Sequence, residues 1–201
     1  MKSEQRIITI GREFGSGGHK VAESLGRLMG IPVLDKNILV SVAKEAGADA
    51  DLLEKYDETP RRYFISRTVN GFSNAPEINV AQMEFVYLRK KAEAGESFII
   101  IGRCGDAVLH EHPGRVSVFV LAEQEFKIRR IMDLYKMSRD DAQAEMARRD
   151  RTRKNYYNQF CAQFGRYKWG DSRNYDLSVN SARLGIDGTA ELIYEYVKRS
   201  F

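Results

Sequence analysis

At 201 residues, 43% apolar and 30% charged, with 4 prolines and 2 cysteines, the chain is long enough to bury one sizeable core and is neither disordered, fibrous nor built on disulfides. Its formal charge of +4 is uneven: Arg148 to Arg173 holds eight basic residues against two acids, a local +6, and the other 175 residues carry −2. A near-neutral body with one cationic segment predicts an anion handled at one place, not a basic protein spread along nucleic acid or a membrane.

In chain order, Ile7-Ile8-Thr9-Ile10 predicts a strand, Gly11 to Gly18 a glycine-rich loop, and Val21, Leu25 and Leu28 at i, i+4 and i+7 a helix. Gly30 stops that helix before Pro32, Val33-Leu34 makes a second strand ending at Asp35, and a helix follows from Lys36 to about Ala46. Residues 49–75 are polar and irregular, with a helix start at Thr59-Pro60 and turn residues at Asn70-Gly71 and Asn74, and they read as a small helical lobe or lid. Ile78, Ala81, Phe85, Leu88 and Ala92 mark a long helix ending at Gly95; its seam suits packing on a sheet, and also pairing in a homodimer.

Phe98 to Ile101 and Val116 to Leu121 lack alternation and read as strands buried on both faces. Helical spacing returns at Ile128, Ile131, Met132 and Tyr135, and again after Ser138, which with Asp141 resembles a capping box. Tyr175 to Val179 is a last strand, and Ile186, Ala190, Ile193 and Val197 mark a last helix. Strands alternating with helices imply a single α/β domain over 1–201, a parallel sheet covered on both faces. The apolar runs are far shorter than the roughly 18 residues of a membrane span, and the first strand follows no apolar signal core, so a cytoplasmic location is expected.

The glycine loop stands just before a helix N-terminus, where backbone N–H groups and the helix dipole hold phosphate. Gly15, Ser16, Gly17, Gly18 and His19 are the expected donors. The pattern G-x-x-x-x-G-K-[ST] is not met: with Gly17 as its second glycine, the first falls on Arg12, the lysine on Gly18 and the hydroxyl residue on His19.

From Ile8-Thr9-Ile10 through Gly15-Ser16-Gly17 to Val21-Ala22, the sequence resembles bacterial cytidylate kinases, and more closely the cytidylate kinase-like family. The resemblance continues through Val33-Leu34-Asp35, Ile101-Gly102-Arg103, Val118 to Leu121 with Ile128-Arg129-Arg130, Arg149-Asp150-Arg151, and Tyr175 to Ser181. It implies a three-layer P-loop NTPase-like fold with about five strands, an acceptor-binding helical lobe over 36–76 and a lid over 138–173. It also implies an ATP- and Mg2+-dependent kinase of a nucleoside monophosphate, CMP or dCMP, or of a similar small acceptor. In ordinary cytidylate kinases the position of Gly18 is the phosphate-binding lysine, that of Arg12 a glycine, that of Lys20 a threonine and that of Cys104 an aspartate.

The missing lysine charge is expected from Arg12 or Lys20, which flank the loop; the alternative for Lys20 is a solvated helix lysine. Asp35 sits at the carboxyl end of a strand and, by resemblance, binds Mg2+ through water or orients the acceptor; it could also cap the next helix. Arg103, after a buried strand, is expected to bind acceptor phosphate with Asp106 nearby, the alternative being a structural ion pair with Asp106 or Glu111. Arg149 and Arg153, four apart, present two guanidinium forks to a transferring phosphate, whereas Asp150 and Lys154 read as a surface pair. One of Arg129 and Arg130 is expected to face the site. By resemblance, Ser181 and Arg183 border the nucleotide base.

Two other functions draw on the same residues. A non-catalytic nucleotide-binding protein would fit the lost loop lysine. A single-stranded nucleic-acid module would use Tyr156, Tyr157, Phe160, Phe164, Tyr167 and Trp169 among the cations, although these rings could equally pack the lid on the body.

Overall fold

Four consecutive residues, Ile7 to Ile10, are buried on both faces of one strand. They belong to β1 (Ile7–Arg12), the middle of a five-stranded sheet with β2 (Val33–Leu34), β5 (Phe98–Ile101), β6 (Arg115–Leu121) and β7 (Leu177–Asn180). The order is β2–β5–β1–β6–β7 and every pairing is parallel. The computed structural model describes residues 5–35, 37–46, 68–69, 72–73, 76–165 and 168–201.

Because side chains alternate across a strand, the sheet sorts its apolar residues into two layers. Ile7, Phe98 and Ile100 face α2 (Asn37–Ala46), α3 (Pro76–Glu93), α4 (Gly105–Val108) and the distal half of α6 (Arg139–Cys161). Ile8, Ile10, Ile99 and Ile101 face α1 (Gly18–Met29) and α7 (Ser181–Arg199). Each such fully buried side chain contributes roughly 1.5–3 kcal/mol. Phe14, Ile128, Ile131 and Ala142 form a third, smaller cluster where α5 (Gln124–Tyr135) meets the glycine loop.

Most predicted elements are found, with their ends moved. β1 runs on to Arg12, so this residue is rooted in the sheet and not in the loop. Ser138 caps α6 by accepting the Asp141 N–H, and with no glycine or proline until Gly165 that helix continues for 23 residues. α7 starts at Ser181, earlier than its apolar spacing implies, and kinks at Gly185, whose φ of 69° an L-residue rarely adopts. The four-residue α4 carries no periodicity of its own and is not predicted.

Within the expected lobe over 36–76 the described residues form the helix α2 and a short two-stranded antiparallel pair, β3 (Thr68–Val69) with β4 (Phe72–Ser73). Thr59-Pro60, Asn70-Gly71, Asn74 and most of residues 49–75 lie outside the described residues, as does Tyr167. No helix among the described residues is long and apolar enough to cross a membrane.

Candidate functional site

The glycine loop is fastened from three sides. Gly15 and Gly17 take φ of 84° and 80°, the left-handed region open to glycine. The Glu13 carboxylate accepts from Ala122 N at 3.2 Å and Lys127 Nζ at 2.8 Å, tying the loop to β6 and α5. Phe14 N–H donates to Asp150 Oδ1 on α6 at 2.7 Å, and the fully buried Ser181 hydroxyl donates to Ser16 O at 2.5 Å. Ser16 is itself fully buried, its hydroxyl on Glu13 O, so it shapes the loop from beneath. At the start of α1 the cap is Gly17, with no side-chain cap bond and no acid in the first turn. Such a terminus leaves backbone donors and a positive dipole end for an anion.

Above the loop opens a cleft of about 510 Å³. Arg12, Gly15, Gly17, Gly18, His19, Lys20, Asp35, Arg149 and Arg153 all line it, brought from β1, the loop, α1, the end of β2 and α6. Arg130 lines it and Arg129 does not, so one arginine of that pair faces the site. Six cations (Arg12, Lys20, Arg130, Arg148, Arg149, Arg153) and two carboxylates (Glu13, Asp35) make the lining strongly positive.

Arg149 and Arg153 of α6 are held in place. Arg149 lies 4.7 Å over the Phe14 ring and 5.8 Å from that of Tyr135, with its Nε 2.6 Å from Glu145 Oε1. Arg148 and Arg149 together hold Glu145 down to about 2. Arg153 stands 5.7 Å from the Phe14 ring and 3.9 Å from Asp150. Asp150 is therefore a loop anchor and not the surface partner of Lys154: its carboxylate takes the Phe14 amide, and burial raises its pKa.

Asp35 joins two networks. Its Oδ2 lies 3.1 Å from His19 Nδ1, whose other nitrogen meets Glu23 at 3.0 Å, and its Oδ1 lies 3.3 Å from Arg103 Nη1. Arg103 is buried and its Nε sits 2.6 Å from Oε1 of Glu84, which is fully buried on α3. The structural ion pair is thus made with Glu84 and Asp35, not with Asp106 or Glu111. Glu84 is absent from the sequence expectations, yet a signal exists: it stands three residues after Ala81 and four before Leu88, inside an apolar stripe.

A model of the cytidylate kinase-like family matches residues 7–183. The chain belongs to that family. Among solved structures, an uncharacterized protein from Eubacterium ventriosum is 33% identical, with a TM-score of 0.75, and covers 96% of this chain and 99% of its own. Shikimate kinase from Bacteroides thetaiotaomicron has a TM-score of 0.55 at 13% identity, covering 96% of this chain and 98% of its own. Shikimate kinase from Acinetobacter baumannii has 0.52 at 12%, covering 98% and 95%. These two share the fold. A search of curated proteins finds no significant match. Family and fold together support a phosphotransferase.

Other expected residues of this cytidylate kinase-like protein lie away from the cleft. Asp106 is buried and accepts the Tyr157 hydroxyl, and burial pushes its carboxyl up to about 6. It lines a second, small cavity of about 20 Å³, where Arg12, Arg103 and Arg153 also appear. That volume is about one water. Ser181 and Arg183 line neither cavity: Ser181 bonds Ser16 O and Leu121 O, while Arg183 is mostly exposed and pairs with Glu123. Tyr156, Tyr157 and Phe160 are buried in the main core, with Phe164 and Trp169 packed against it. Base stacking needs an exposed ring face: Tyr156, Tyr157 and Phe160 give theirs to the body, while Phe164 and Trp169 are half-buried.

Proposed function

We propose that this protein transfers the γ-phosphoryl group of ATP to a small acceptor, with a nucleoside monophosphate, CMP or dCMP, the first class to test. The observation that carries the reading is the convergence of the loop, Asp35 and the α6 arginines on one positive cleft. Phosphoryl transfer needs positioning and charge neutralisation more than covalent chemistry, and that is what these residues offer.

In this reading the N–H groups of Gly15, Gly17 and His19 hold the donor phosphates, those of Ser16 and Gly18 being taken inside the loop by Glu13 O and Ser16 Oγ, and Arg149 and Arg153 grip the transferring group from the lid side. Phe14, stacked under Arg149, keeps that fork aimed at the loop. Asp35 suits Mg2+ through water: it stands just past the end of β2 and its side chain faces the cleft beside the loop. Such an ion would be coordinated mainly by phosphate oxygens and water. Bound there, Mg2+ would neutralise charge on the phosphates. Arg103, neutralised by Glu84, and the buried Asp106 are left with a supporting role beneath the acceptor side.

The test is purified full-length protein with ATP, Mg2+ and a panel of nucleoside monophosphates. Acceptor-dependent ADP release is expected. ATP binding with no such release across the panel would favour a non-catalytic nucleotide-binding protein, and steeply salt-dependent oligonucleotide binding without mononucleotide binding would favour a nucleic-acid module.

A further inference from the structure

Besides His19 in the hydroxyl position, the sequence departs from the phosphate-loop pattern twice more, at Arg12 where a glycine is called for and at Gly18 where the lysine is. In the fold these two departures are one contact. A β-carbon on Gly18 would lie 2.6 Å from Arg12 Cβ, 3.2 Å from Arg12 Cγ and 3.4 Å from Val120 Cβ. The obstructing atom is the root of the Arg12 side chain, and that root cannot swing aside. Arg12 is fixed in β1, in register with Val120 of β6. The volume between strand end and helix start therefore holds one side-chain stem: a lysine at 18 requires glycine at 12, and an arginine at 12 requires glycine at 18.

We infer that Arg12 replaces the loop lysine, bringing its positive charge to the donor phosphates from the strand side of the same volume, and that Lys20 does not. This rests on the reading of the cleft as a nucleotide site. Arg12 lines the cleft beside Gly17 and Gly18. Lys20 also borders it, but its side chain is 59% exposed, on the outer surface of α1. The exchange alters the chemistry as well as the location. A lysine is a point charge, whereas a guanidinium presents a planar fork to two phosphate oxygens at once.

The test is calorimetric titration of the full chain with ATP and Mg2+, and separately with adenosine, for five variants. Arg12→Ala is expected to weaken ATP at least tenfold and adenosine by less than threefold, and Lys20→Ala to weaken ATP by less than threefold. Gly18→Ala is expected to match Arg12→Ala, because its β-carbon meets Arg12 Cβ at 2.6 Å and is accommodated only by moving strand end and helix start apart, which carries the guanidinium off the loop. The double variant Arg12→Gly/Gly18→Ala, which removes the Arg12 Cβ that the added methyl would meet, should then be no weaker than Arg12→Ala within twofold, since the harm of the added methyl passes through the stem of Arg12. The exchange Arg12→Gly/Gly18→Lys should recover ATP binding to within tenfold of the natural chain.

Natural protein that binds ATP while Arg12→Ala binds it equally well overturns the assignment and leaves the functional reading standing. An equal loss from Lys20→Ala, or additive losses in the double variant, also overturns the assignment. Natural protein that binds no ATP overturns both. Should Gly18→Ala fail to fold, the comparison of Arg12→Ala with Lys20→Ala decides alone, because each only removes atoms.

Discussion

Replacing Glu84 by leucine leaves the Arg103 guanidinium buried without its closest counter-charge. The two groups are 2.6 Å apart, Glu84 fully buried and the Arg103 side chain 1% exposed. At an effective dielectric constant of 20, Coulomb's law gives about 6 kcal/mol of gross attraction at that distance. Desolvation of both ions offsets most of it, which is why the intact pair adds little net stability; an orphaned partner, by contrast, costs about 3–5 kcal/mol. Asp35 at 3.3 Å and Ile101 O at 3.3 Å remain with Arg103, which places Glu84→Leu near the lower figure. Glu84→Gln keeps an acceptor and should cost less, roughly 1.5–3 kcal/mol. Urea unfolding at pH 7 measures both, and for a chain of this length each kcal/mol lowers Tm by about 2–4 °C. A loss below about 1 kcal/mol for Glu84→Leu would refute the reasoning, because Arg103 would then be satisfied without Glu84 and its charge would be available to an acceptor.

Asp106 supplies a pH signature: its carboxyl is raised from 3.8 to about 6, so the folded state holds the proton more tightly than the unfolded chain does. Its contribution is present below about pH 4 and lost as pH rises through about 6, a change of about 3 kcal/mol, and the natural chain's advantage over Asp106→Asn in urea unfolding should fall by that amount from pH 4 to pH 7. Parallel profiles would remove Asp106 as the source. Asp150→Ala deprives the Phe14 amide of its acceptor and should cost about 1–3 kcal/mol with weaker ATP binding, while Lys154→Ala stays within about 0.5 kcal/mol; the reverse ranking in chemical denaturation would restore the surface pair. Gly17→Ala forces an L-residue to φ 80° with its β-carbon 2.5 Å from Ile186 Cδ1, and a loss of about 1–2 kcal/mol in thermal unfolding is expected, against none if the loop can flatten.

Much of this protein can be read along the chain because the controlling physics is local. Runs such as Phe98 to Ile101 are apolar at every position, which only a strand covered on both faces requires. Ser138 and Gly30 act on their own helix ends. The glycine loop announces itself by glycines that the backbone needs at Gly15 and Gly17, and the α6 arginines by a spacing of four. The limits of such reading lie where partners are distant in sequence. Glu84 and Arg103 are 19 residues apart, Phe14 and Asp150 are 136, and no periodicity links either pair. Ser181, read as bordering a base, proves to be a peg beneath the loop for the same reason: its partner Ser16 is 165 residues away.

The alternation of strands and helices, the phosphate-type loop and the concentration of positive charge in one segment are legible along the chain, since each is a property of neighbouring residues. Which charges act together follows from the folded arrangement. It joined Arg12 and Gly18 into a single mutually exclusive pair, placed Arg130 and not Arg129 at the cleft, and withdrew Arg103 into an ion pair with Glu84. Packing settles these matters because one volume admits one side chain and a buried charge requires a partner, and neither condition can be evaluated until the chain has folded back on itself.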